Sequence, residues 1–106
     1  MLFKANSNEY LANGVIISPT NPHPGESVKV CYNGLLPKSG ASTIYAHVGF
    51  GFEWQNQQDI QMTRTPAGFE ASVTANNHDT LCVAFKDCAN NWDNNQGLNY
   101  NFNIHQ

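Results

Sequence analysis

No stretch of this chain repeats its apolar residues at the helical period over ten positions. What recurs is the two-residue alternation of half-buried strands, cut short by turn residues. In SVKVCYN (27–33), Val28, Val30 and Tyr32 share one face, with Lys29, Cys31 and Asn33 opposite. FEASVTA (69–75) sets Phe69, Ala71 and Val73 against Glu70, Ser72 and Thr74. TIYAHVGF (43–50) alternates again, while GVIIS (14–18), QDIQMT (58–63), TLCVAFK (80–86) and LNYNFNI (98–104) complete the strand-like runs. Between them lie PTNPHPG, GLLPKSGAS (34–42), RTPAG (64–68) and NNHD (76–79), rich in the residues that start turns and stop strands. About seven short strands at such spacing predict an all-β fold, an antiparallel immunoglobulin-like β-sandwich. At 106 residues the chain has material for one core, so residues 1–106 read as one module, with about 1–12 a loose start.

Composition narrows the partners. Charged residues make up 12% of the chain, about half the usual share. Amides take their place, with 15 asparagines in the sequence. A net charge of −3 and five scattered basic residues argue against nucleic acid, whose phosphates call for clustered Lys and Arg. No apolar run approaches the ~20 residues that span a bilayer. The start, MLFKANSNEYLANG, lacks the long apolar centre of an export signal. The chain is therefore expected to be cytoplasmic or a module excised from a secreted protein. A neutral, hydroxyl-rich ligand suits this surface, and no cofactor is expected.

Strand parity turns Tyr45, His47 and Gly49 outward, away from Ile44, Ala46, Val48 and Phe50. Trp54 follows in a loop beside Gln55, Asn56, Gln57 and Gln58, and Trp92 stands among Asn90, Asn91, Asn94 and Asn95. A buried tryptophan normally has apolar neighbours. Two amide-flanked tryptophans and an outward histidine therefore point to a shared binding site. Sugars need this combination: the C–H face of a pyranose stacks on an aromatic ring, and amides both donate to and accept from its hydroxyls.

Other chemistries fit less well. Glu53, Asp59, Asp87 and Asp93 offer no evident pair across a cleft, as glycoside hydrolysis requires, so no enzyme is expected. Asp87 reads instead as a tie for the loop before Trp92. Cys82, Cys88, His78 and Asp87 have poor zinc spacing, and DNNQG misses the glycine position and the closing glutamate of an EF-hand loop, so no metal is assigned. Cys31 and Cys82 both fall on the outward faces of their strands, which argues against a disulfide between the sheets. The alternative function is a protein-interaction sandwich that uses the two loop tryptophans as a hot spot.

The stretches IYAHVGFGFEWQNQQDIQMTRTPAGFEASVTA and LCVAFKDCANNWDNNQGLNYNF carry a resemblance. A strand with histidine and glycine, a loop tryptophan, the hairpin MTRTPAGFEA, a strand ending FKD and the segment NWDNNQGLNY are together similar to the starch-binding carbohydrate-binding modules of families 25 and 53. The similarity runs over roughly residues 26 to 104. Phe69 departs from the tryptophan common at that place, a packing change at the hairpin. The resemblance implies a sandwich that binds α-1,4-glucans such as starch, glycogen or maltooligosaccharides, and an attached or associated amylolytic enzyme as partner. It assigns the ligand to His47, Trp54 and Trp92. Asn91, Asp93, Asn94 and Asn95 would supply hydrogen bonds or shape the loop; Tyr45, set outward beside His47 by strand parity, would extend the binding face.

Overall fold

The computed structural model describes residues 10–51, 53–76 and 79–105. Among these described residues, nine strands form two antiparallel sheets. They are β1 (Val15–Ser18), β2 (Ser27–Tyr32), β3 (Ile44–Phe50), β4 (Gln55–Gln61), β5 (Thr63–Thr65), β6 (Gly68–Thr74), β7 (Thr80–Asp87), β8 (Trp92–Asp93) and β9 (Tyr100–Asn103). One sheet has the order β1-β2-β6-β5; the other runs β4-β3-β7, with β8 and β9 both paired to the far side of β7.

The alternation read from sequence drives this packing. Val28, Val30 and Tyr32 of β2 and Phe69, Ala71 and Val73 of β6 turn inward, to meet Ile44, Ala46, Val48 and Phe50 of β3 and Leu81, Val83 and Phe85 of β7. Each such aliphatic or phenyl side chain contributes about 1.5–3 kcal/mol when fully buried. Across the interface Tyr32 stacks flat on Phe85, with centroids 3.8 Å apart and planes 3° from parallel.

The strands exceed the expected seven because two short pieces have no run of their own. What reads as a strand over 58–63 is longer and divided: β4 belongs to one sheet and β5 to the other. Met62, buried between them, carries the chain across while its N–H donates to Ile44 O. β8 is only two residues long, too short for a periodicity to register. The final run begins at Tyr100 rather than 98, because Asn99 adopts a left-handed conformation (φ 61°) that a strand cannot include. The turn-rich connection after β2 contains one helical turn, α1 (Leu35–Lys38).

Parity sets the face of each cysteine but not its exposure. Cys31 is half-buried on the outward face as expected, but Cys82 is buried. β7 is the central strand of its sheet, and the turn after β3 folds over its outer face, where the Cys82 thiol donates to Gly51 O at 3.5 Å. All three cysteines are free thiols.

The loose start expected over 1–12 falls mostly outside the described residues. Tyr10 itself is packed: its ring meets Tyr100 and Phe102 edge-on, at 5.0 and 5.5 Å, and its hydroxyl accepts from Asn101 N–H. His78 and the centre of the expected 76–79 turn also lie outside the described residues.

Candidate functional site

The outer face of β3 sets the floor. His47 and Gly49 point outward from the same face, and β4 and β7 flank them. After Phe50 the chain turns through Gly51, whose O accepts from Trp54 N–H at 3.1 Å. The indole then folds back over β3. A Cβ on Gly49 would meet Trp54 Cε3 at 2.5 Å, so glycine there makes the room in which the ring lies. Trp54 itself adopts a left-handed backbone (φ 53°), an uncommon conformation for a bulky residue and one that other contacts must hold. Two residues later β4 carries a bulge: the register slips between Val48 and Phe50 of β3, and Asn56 is left-handed as well. Bulges of this kind re-aim side chains beside sites.

Trp92 arrives from the other side, on β8. Pairing with Lys86 of β7 fixes its position, and the two-residue alternation sends Trp92 outward and Asp93 inward. The loop before it is tied to Asp87, whose carboxylate accepts from Ala89 N–H, Asn91 N–H and the Asn91 side-chain amide at 2.8–2.9 Å. The side-chain and backbone bonds from Asn91 hold this carboxyl below the ordinary range. Behind the loop Asp93 is buried. Its two carboxylate oxygens accept from the Tyr32 hydroxyl at 2.6 Å and the Tyr100 hydroxyl at 2.8 Å. Burial first, and then the bond to Asp93, pushes both tyrosine hydroxyls far above their ordinary value.

The two elements bring His47, Trp54 and Trp92 together. His47 and Trp54 lie near-parallel, with centroids 5.2 Å apart and planes at 21°, while His47 and Trp92 meet at 5.4 Å and 87°. The two indoles thus stand steeply to one another, as two walls of a corner with the imidazole at its base. Trp92 keeps 41% of its surface exposed. Its Nε1 donates to Asn90 Oδ1 at 3.2 Å, and Lys86 Nζ sits over the ring at 5.5 Å. A groove of about 460 Å³ runs along the corner, lined by Trp54, Trp92, Glu53, Gln57, Asn94 and Asn99 together with His47 and Ala84.

Below the rings lies a polar support that sequence reading did not place in the site. His47 Nδ1 is 2.5 Å from Asp59 Oδ1, and Lys86 Nζ donates to Asp59 Oδ2 at 3.1 Å. Burial raises the Asp59 pKa, but the bonds from His47 and Lys86 outweigh it and leave the carboxyl below its ordinary value. An ionised carboxylate only accepts, so the proton of this contact sits on His47 Nδ1. Neutral imidazole then presents Nε2 as an acceptor. The cross-strand match of His47 with Asp59 was the available signal, and the bulge at Asn56 concealed it.

The remaining expected residues serve different ends. Asn94 lines the groove while its side-chain oxygen caps Gly97 N–H at 3.0 Å. Asn95 binds inward through its amide to Asn99 O, also at 3.0 Å, and Asn91 is committed to Asp87. Asp93 shapes the loop from beneath. Tyr45 lies off the groove, beside Asp59, Lys86 and Asn90, with Lys86 Nζ 5.8 Å above its ring.

The family model described as "Starch/carbohydrate-binding module (family 53)" matches residues 28–85. That span includes His47, Trp54 and Asp59 and stops short of Trp92. An alpha-amylase of Clostridium acetobutylicum is 39% identical over 84 residues, an alignment that covers 76% of this chain and 11% of the enzyme. No solved structure matches the chain significantly.

Proposed function

The chain belongs to the starch/carbohydrate-binding modules of family 53, and on that premise we propose that residues 1–106 form one non-catalytic module. It holds α-1,4-linked glucan in the corner of Trp54, His47 and Trp92. The observation that carries this reading is the steep setting of the two indoles about His47. Consecutive α-1,4 residues turn relative to one another, so successive C–H faces meet differently oriented rings. A flat β-1,4 chain suits a coplanar row instead.

Each stack contributes on the order of 1 kcal/mol beyond area burial. Hydroxyls find donors and acceptors in Gln57, Asn94 and Asn99 along the groove, and an acceptor in His47 Nε2. Amides do this without the desolvation cost of a charge. Glu53 is the one carboxylate among the described residues of the groove, whereas glycoside hydrolysis uses two. The amylase similarity supports an amylolytic enzyme, attached or associated, as the body that this module brings to its polymer.

Calorimetric titration with maltoheptaose tests the reading, with cellohexaose as control. Two stacks and a few hydrogen bonds give an expected Kd of roughly 10 μM to 1 mM. Trp92→Ala should weaken binding by at least about tenfold, and cellohexaose should give no heat of binding. A folded wild type that ignores millimolar maltoheptaose would sink the proposal and turn attention to a protein partner for the same two rings.

A further inference from the structure

On the far side of Trp92 lies a second cavity of about 510 Å³, lined by Trp92, Asn94, Asn13, Leu35, Lys38 and Gln96 among others. It shares Trp92 and Asn94 with the His47 groove, so the two are neighbours across one indole and one amide. The sequence reading did not single it out, because its lining comes from three separated segments: the turn before β1, α1, and the loop after β8.

Its chemistry resembles that of the groove. Leu35 at the start of α1 is 57% exposed, an apolar surface of the kind a sugar C–H face covers. Around it stand side-chain amides and a single cation, Lys38. Asp93 forms the base, but its oxygens are already engaged by Tyr32 and Tyr100. Amides surrounding a small apolar surface favour a neutral polyhydroxyl ligand over an anion, which would call for more than one lysine.

The backbone supplies a separate observation. Among the described residues, six non-glycine residues adopt left-handed φ, and four of them are asparagines, which tolerate it. The two exceptions are Trp54 in the His47 groove and Gln96 in this cavity (φ 57°). A long side chain held where Gly or Asn would rest more easily is a feature that clusters at ligand sites.

We infer that this cavity is a second subsite, which takes further glucose units of the same α-glucan chain once that chain has passed Trp92. The inference rests on the glucan reading of the His47 corner. Trp92 then serves two subsites, and the chain-length preference of the module is set by Leu35 and Gln96.

Titrations of maltotriose and maltoheptaose into the whole chain test this, with wild type, Gln96→Gly and Leu35→Ala compared. Glycine removes the amide while suiting the left-handed backbone, and Leu35 is a surface residue, so thermal melting should show both variants folded. Each variant is expected to weaken maltoheptaose binding by about three- to tenfold and to leave maltotriose unchanged. Equal losses for both sugars, or no loss for either, overturn the second subsite while leaving the first intact. If wild type binds neither sugar, the glucan reading fails and the second subsite with it.

Discussion

Asp59 shows how much of a proposed binding residue, His47, is decided by its neighbours. The outward histidine was readable from alternation in TIYAHVGF, but the imidazole is useful to a sugar only in a defined tautomer and orientation. Both come from the carboxylate opposite it on β4, which Lys86 holds in turn. Asp59→Asn keeps the shape and removes the acceptor-only character. It should weaken maltoheptaose binding about three- to tenfold, the scale of one hydrogen bond, and nitrogen NMR of the His47 ring should show loss of the single Nδ1–H form. The pH response has a definite sign. Because the folded Asp59 pKa lies below its ordinary value of 3.8, its contribution is complete above that value and is lost only as pH falls through the lowered one. The Asp59 carboxylate should therefore stay ionised from neutrality to about pH 4, and any loss of affinity that follows its protonation below that should be absent from the asparagine variant. An acid limb of equal size below about pH 4 in the asparagine variant would contradict the assignment.

At the scale of elements, β8 is the smallest strand and positions one wall of the corner. Its two residues divide the work: Trp92 meets the groove, and Asp93 fastens the loop to Tyr32 of one sheet and Tyr100 of the other. Asp93→Ala would leave two buried hydroxyls without their acceptor, at about 1–3 kcal/mol each. The urea midpoint should fall accordingly, and ligand affinity should fall too as Trp92 loses its seat. Unchanged stability would mean that the hydroxyls find other partners. The tryptophans and their amides were visible in sequence because polar company around an indole is unusual wherever it falls. Asp93 was visible only as a loop residue. Its inward direction follows from strand parity, but two residues are too few to reveal a strand.

For the molecule as a whole, the sandwich was legible because alternation is a local property that each strand carries for itself. Sheet membership is not local, which is why one apparent strand at 58–63 turned out to serve both sheets through Met62, and why Cys82 is covered by a turn that begins 31 residues away. The second cavity was hidden for the same reason. Thermal melting gives a whole-molecule check of glucan binding. Maltoheptaose at a hundred times its Kd should stabilise the fold by about 2.7 kcal/mol, and about 1 kcal/mol moves the melting point of a domain near this size by roughly 4–8 °C. A rise of about 10–20 °C is expected, with none from cellohexaose. No shift would show that the sugar does not prefer the folded state.

The place of β4 at the outer edge of its sheet has a consequence for solubility. An edge strand offers unpaired N–H and C=O groups to any other extended chain, and side-chain amides can stack into ladders that make such pairing persistent. β4 reads QNQQDIQ, a run of amides with Asp59 as its one charge and a bulge at Asn56 near its start. The carboxylate that orients His47 is thus also the one charge on this edge strand, where charge and bulges discourage pairing with another chain. A lineage that relaxed sugar binding could lose the first role freely and would still be constrained by the second.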